Sequence, residues 1–194
     1  PLATHNGRRT TDHGQLTTDS GQRLQLVDSH AHLDDSQFDA DRDAVIDRAR
    51  AAGVKYLLAI SGGGGPDDLD SAVPIAEKYD GIYATVGIHP HEAQKAGEGQ
   101  FDRLPAAAQK PKVIGVGEIG LDYYHENSPR EAQKQVLIRQ LEIARATKKP
   151  IIIHCRDAWE DLSSIIEAHW KSSGFGGILH CFSGSLENAR KFID

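Results

Sequence analysis

From residue 24 onward, short apolar β-branched runs alternate with longer amphipathic stretches. The runs are LQLVDSH (24–30), VKYLLAI (54–60), GIYATVGI (81–88), KVIGVGEI (112–119), PIIIHC (150–155) and GGILHC (176–181). Apolar runs without polar alternation predict strands buried on both faces, hence a parallel sheet. Their starts fall roughly 26 to 38 residues apart, which is room for one strand and one covering helix.

The stretches between them read as helices. Residues 39–52 carry apolar positions at helical spacing and stop before Gly53, a natural terminator. Ser128-Pro129-Arg130-Glu131 has the form of a capping box with proline at the first helical position, opening a helix to about Lys148. Asp157 is placed to cap a helix through Trp159, Leu162, Ile165, Ile166 and His169, and Ser185 to open a last one. Six consecutive βα units fit either an open doubly wound sheet or an incomplete (β/α)₈ barrel, and periodicity does not separate the two.

The polar residues do. Barrel chemistry gathers at the C-terminal ends of the strands. Here those ends carry His30 and His32, then His89, Glu118, His154 and His180, so five of the ten histidines share one rim. This predicts a TIM-type α/β barrel, present here as six of eight βα units. His30 and His32 are two residues apart and so share one strand face with Asp28, an arrangement that suits a transition-metal ion. Glu118 ends an apolar strand and needs a partner there; its flanking glycines are expected to leave room around the carboxylate. His154 and His180 each follow three apolar residues. Singly each reads as a core histidine, but the coincidence at one rim predicts a clustered metal site. Alternation turns Cys155 and Cys181 away from that rim, as buried, reduced thiols that are not ligands.

Composition narrows the classes. The 194 residues hold 22 Lys+Arg against 28 Asp+Glu, a net charge of −6, which argues against nucleic-acid binding through a basic surface alone. Two cysteines exclude a disulfide scaffold, and no apolar run reaches the ~18–20 residues of a membrane helix. A reducing, cytoplasmic location is expected, with no membrane partner. Residues 1–23 are polar and nearly devoid of apolar side chains, which predicts a disordered tail or remnant ahead of one domain over residues 24–194. Ser61-Gly62-Gly63-Gly64-Gly65 superficially suggests a phosphate loop. It lacks the Lys-Ser/Thr pair and precedes Asp67 and Asp68, so it reads as a flexible rim loop. Tyr123 and Tyr124 are placed to stack on a base or to pack over the site. His91, His125 and His169 read as solvent-facing or packing residues.

Five motifs in order, VDSHAHLD, GIHPH (87–91), GEIGLDYY (117–124), KPIIIHCRDA (149–158) and GGILHCFSG (176–184), resemble the TatD family of metal-dependent deoxyribonucleases, within the amidohydrolase-like barrels. The resemblance covers about residues 25 to 194. It implies two divalent ions, of zinc, magnesium, manganese or similar kind. His30 and His32 would hold one, Glu118 would bridge both as the catalytic carboxylate, and His154 and His180 would complete the second. His89 and Arg156 match positions near the substrate phosphate. The family's later Glu-Thr-Asp motif, at the end of an eighth strand, has no counterpart in residues 1–194.

The implied function is hydrolysis of DNA phosphodiesters, as an exonuclease, with DNA as the partner. Two metals about 3.5–4 Å apart activate water and stabilise the departing oxygen, so an acidic chain draws in the phosphate backbone locally. Arg156 would hold a phosphate bidentately, or else pair with Asp157 or Glu160. Two alternatives stand beside this reading. One is amidohydrolase-type hydrolysis of an amide, ester or lactone at the same kind of site. The other is a non-catalytic binding module braced by metal. Six strands also predict an open, crescent-like sheet whose first and last strands expose apolar edges.

Overall fold

The computed structural model describes residues 25–193, together with a two-residue antiparallel pairing of Arg9–Thr10 with Leu16–Thr17. Apart from that pairing, the tail expected over residues 1–23 lies outside the described residues. Six parallel strands pair strictly in chain order: β1 (Leu26–Ala31), β2 (Val54–Ala59), β3 (Ile82–Val86), β4 (Val113–Asp122), β5 (Ile151–Arg156) and β6 (Gly177–Leu179). Between and after them lie α1 (Arg42–Ala51), α2 (Val73–Lys78), α3 (Glu98–Ala108), α4 (Arg130–Thr147), α5 (Trp159–His169) and α6 (Leu186–Ile193). Sequential order with a helix on one side is the barrel alternative, because a doubly wound sheet reverses its strand order. The sheet is a curled part-barrel in which β1 and β6 are not paired to each other.

The main core lies between the sheet and its helices. Ile119, Leu121, Ile151 and Ile153 pack there against Leu137, Leu141, Ala144 and Leu162. The concave side carries a smaller cluster of Leu58, Ile60 and Ile152, with Tyr83 against it. Burial on both faces holds for β4 from Gly115 onward and for Ile151–Ile153 of β5, while Ile114 near the start of β4 is 42% exposed; at the margins Val27 of β1 is 67% exposed and Ile178 of β6 is 42% exposed. At the margins the cause is position, since each edge strand has a neighbour on one side only.

Local details depart from the sequence reading in two places. The helix expected to start at a Ser128 capping box begins at Arg130, with Pro129 as its N-cap and no capping bond. The Ser128 hydroxyl instead donates to His91 O (2.7 Å) and accepts from Gln94 N (3.0 Å), tying the 3₁₀ segment Pro90–Lys95 to the foot of α4. Asp157 takes a left-handed backbone conformation and does not cap α5, whose N-cap is Ala158. Ser185 does open α6: its Oγ accepts from Asn188 N (3.1 Å), and Asn188 Oδ1 accepts from Ser185 N (3.0 Å).

Two glutamines on α4 link the helix to the rim. Gln140 Oε1 accepts from Ile88 N (2.7 Å) and its Nε2 donates to Ile88 O (3.1 Å). Gln133 makes the same pair with Asp122, through N (2.7 Å) and O (3.0 Å), and also donates to Ser128 O (2.8 Å). Both are buried and stand seven positions apart, so one helix face fixes the chain after β3 and at the end of β4. At the other side of the rim, the glycine loop after β2 is anchored at its start: buried Ser61 donates to Thr85 O (2.7 Å) and accepts from Ala72 N (3.0 Å).

Candidate metal centre

The side chains expected at the strand ends meet in one place. Glu118 is only 3% exposed, and each of its oxygens faces two imidazoles. Oε2 lies 3.3 Å from His30 Nε2 and 3.7 Å from His32 Nε2. Oε1 lies 3.0 Å from His154 Nδ1 and 3.6 Å from His180 Nε2. The His30 and His180 rings stack with centroids 3.5 Å apart, so the rim closes through side chains although β1 and β6 share no ladder. Burial alone would raise the Glu118 pKa, but hydrogen bonds from His154 and His30 outweigh it and hold the carboxyl far below its usual range. The same pairing raises His154 above its ordinary value despite its burial. His180, half-buried and without such a bond, is lowered by desolvation.

The glycines around Glu118 do not serve to open space at the carboxylate. A Cβ on Gly117 would come within 2.6 Å of Ile152 O, and one on Gly120 would strike His154 O. They let β4 lie hard against β5, and that contact brings His154 to Glu118.

Asp122, which the sequence reading left without a role, is the second carboxylate of the site. It is fully buried two turns of the pleat beyond Glu118, on the same strand face. Its Oδ2 lies 2.9 Å from each of His91 Nε2, His125 Nδ1 and His154 Nε2. Its Oδ1 accepts from Tyr124 N (3.1 Å) and His125 N (2.8 Å). Burial opposes ionisation here, and the bonds from His125, His91 and His154 overcome it and depress the pKa. His154 therefore stands between two carboxylates, Nδ1 toward Glu118 and Nε2 toward Asp122, which fixes its ring plane. His91 and His125 thus belong to this group; His125 does face solvent, its ring half exposed, and what the sequence reading missed is the bond each of them makes to Asp122. The signal was in the GEIGLDYY run, where Asp122 falls an even number of positions after Glu118 and so on the same face.

His89 borders the cluster, its ring 4.7 Å from that of His154. Its Nδ1 accepts from His91 N (3.3 Å), so the neutral ring carries its proton on Nε2. Desolvation pushes its pKa down to about 3. Arg156 is exposed and pairs with neither Asp157 nor Glu160; its guanidinium lies over the Tyr124 ring, 4.9 Å from the centroid. Glu160 is instead engaged by Lys191 (3.1 Å). Tyr123 is held at the side, donating to Asp161 Oδ2 (2.6 Å), which leaves Tyr124 as the exposed aromatic.

The cysteines divide. Cys155 is buried, and desolvation pushes its thiol up to about 12. Cys181 is exposed, contrary to expectation, because β6 ends at Leu179 and the chain turns at Cys181 with positive φ, so strand alternation no longer applies. An alkylating reagent is expected to modify one thiol of the folded chain quickly and the second only with denaturant. Mass spectrometry after a short pulse would check this, and early labelling of Cys155 would contradict it.

The sequence and the strand order have counterparts among known proteins. A family model described as TatD related DNase matches residues 27–194. The chain is 39% identical over 166 residues to an uncharacterized metal-dependent hydrolase, YabD, of Bacillus subtilis (strain 168), a match covering 86% of this chain and 64% of that protein. It is 37% identical over 168 residues to the 3'-5' ssDNA/RNA exonuclease TatD of Cronobacter turicensis, covering 87% and 63%. Among solved structures it resembles YJJV, a TatD homologue of Escherichia coli K12, with a TM-score of 0.79 and 31% identity over 87% of this chain and 64% of that one. The chain spans just under two thirds of the length of these relatives. Over nearly all of its described length, this chain belongs to the TatD-related DNase family.

Proposed function

We propose that the chain supplies the metal-holding rim of a hydrolase that cleaves phosphodiester bonds of nucleic acid, as a DNA exonuclease. The observation that carries this reading is the Glu118 carboxylate with two imidazoles at each oxygen. Ligands at ~2.0–2.1 Å from one tetrahedral ion stand about 3.3 Å from each other, and the four nitrogen–oxygen separations bracket that value. The donor set is four imidazoles and one carboxylate without sulfur, which suits zinc, manganese or similar ions. His30 and His32 would hold one ion with Oε2, and His154 and His180 the other with Oε1. When bound, such a pair supplies Lewis acidity toward a phosphoryl oxygen and lowers the pKa of water.

The remaining residues bind and orient. His89 offers its Nε2–H as a neutral donor to a substrate oxygen beside His154. Arg156, in no ion pair among the described residues and with its guanidinium over the Tyr124 ring, presents that group to a phosphate. Asp122 fixes the ring of His154, the arrangement by which an outer carboxylate orients a metal-binding imidazole. The TatD exonuclease name of relatives supports a nucleic-acid substrate, single-stranded DNA or RNA included.

End-labelled single-stranded oligonucleotides test the proposal on the full-length protein. We expect stepwise shortening that stops with chelator and returns with a divalent ion, and a weaker KM in Arg156→Lys. Efficient turnover of simple carboxylic esters or lactones with intact oligonucleotides would overturn it.

A further inference from the structure

We propose that His91, Asp122 and His125 form an additional divalent transition-metal site, separate from the pair of ions assigned to Glu118. The argument is one of counting. A carboxylate offers about four lone-pair sites. Asp122 is faced by five nitrogens: two backbone N–H groups at Oδ1, and His91, His125 and His154 at Oδ2, each of the three at 2.9 Å. For all five to be hydrogen bonds, every imidazole must carry a proton at the facing nitrogen and Oδ2 must accept three. A cation removes the conflict. Oδ2 then accepts the His154 Nε2–H with one lone pair and binds the ion with the other, while His91 Nε2 and His125 Nδ1 turn lone pairs to the same ion. Four sites are then filled by four partners.

The spacing and surroundings agree. The three ligand atoms lie within 4.8 Å of one another. The two imidazole nitrogens each stand 2.9 Å from Oδ2, a few tenths of an ångström inside the ~3.3 Å between two ligands of one tetrahedral ion. Two imidazoles and one carboxylate form a borderline donor set that favours zinc and its neighbours over magnesium or calcium. The ligands are held before any ion arrives. His91 sits in the 3₁₀ segment clamped by Ser128, Asp122 is gripped by Gln133, and the His125 backbone is bonded to Asp122 itself. The half-exposed His125 ring leaves a route from solvent. This site lies at the edge of the His154 ring away from Glu118, on the side where the His125 ring meets the Tyr124 ring edge-on and the Arg156 guanidinium lies over Tyr124. It would therefore add positive charge beside the guanidinium assigned to phosphate.

Zinc itself is the probe. Full-length protein stripped of metal is dialysed against zinc, and bound equivalents are counted by elemental analysis. His125→Ala and His91→Gln are each expected to bind one equivalent less than wild type. Glu118→Gln is expected to lose the equivalents of the main centre while keeping the one that depends on His125. The two sites can thus fail independently. Nitrogen NMR of the wild-type histidines needs no variant: adding zinc should move His125 Nδ1 and His91 Nε2. Equal zinc equivalents in wild type and both variants, or unmoved His91 and His125 nitrogens in saturated wild type, would overturn the proposal.

Discussion

In the full-length protein, replacing Glu118 by glutamine is expected to reduce the proposed phosphodiester turnover by more than a hundredfold and to lower bound metal. Changing a residue that merely orients a metal ligand typically costs ten- to a hundredfold in affinity or activity. Glu118 stands one step closer, since both of its oxygens face imidazoles and no other carboxylate among the described residues touches all four. Glutamine keeps the shape but offers one oxygen and one NH₂. It can serve one side of the cluster and must present a donor to the other. Arg156→Lys is the contrasting variant, because it retains a positive charge at the exposed rim and is expected to cost about tenfold or less. Metal content and turnover of the two variants, with circular dichroism to confirm folding, check the ranking. A Glu118→Gln protein with wild-type metal content and turnover within tenfold would remove Glu118 from the bridging role.

Much of this arrangement is legible without coordinates because strand alternation is rigid. Once His30, Glu118 and His154 are placed near the ends of parallel runs, the pleat decides which face each occupies, and curvature brings those faces together. What stayed hidden depended on close approach between elements. Asp122 belongs to the site because β4 continues four residues past Glu118; the GEIGLDYY run puts Asp122 on the right face but does not show that the strand reaches it. His91 and His125 reach it from a 3₁₀ segment and a turn, whose course is set by Ser128 and Gln133 and not by periodicity. Cys181 escaped for the converse reason. It was assigned by alternation, and the strand had already ended. The rim glycines carried a true signal with the wrong cause, since they serve the contact between strands.

That contact makes Gly120→Ala the most damaging single-methyl change expected in the fold. Gly120 has φ of +150°, a region essentially reserved for glycine, and pairs directly with His154 across the β4–β5 ladder. A methyl there would overlap the His154 carbonyl oxygen and crowd its carbon at 2.9 Å, both of them backbone atoms that no rotamer change can clear. The strain of the φ region costs ~1–3 kcal/mol, and overpacking adds a similar amount. Together they are a large part of the 5–15 kcal/mol that holds a typical domain folded. The damage is also directional. Relief requires β5 to move away from β4, which carries the His154 ring out from between Glu118 and Asp122. The denaturant midpoint and the metal content should therefore fall together. Gly63→Ala provides the comparison, because a Cβ at that position meets nothing within 4 Å and the φ is unexceptional, so its unfolding free energy should stay within about 1 kcal/mol of wild type. If Gly120→Ala unfolds at the same denaturant concentration as Gly63→Ala, the close seating of β4 on β5 is not what places His154 between the two carboxylates.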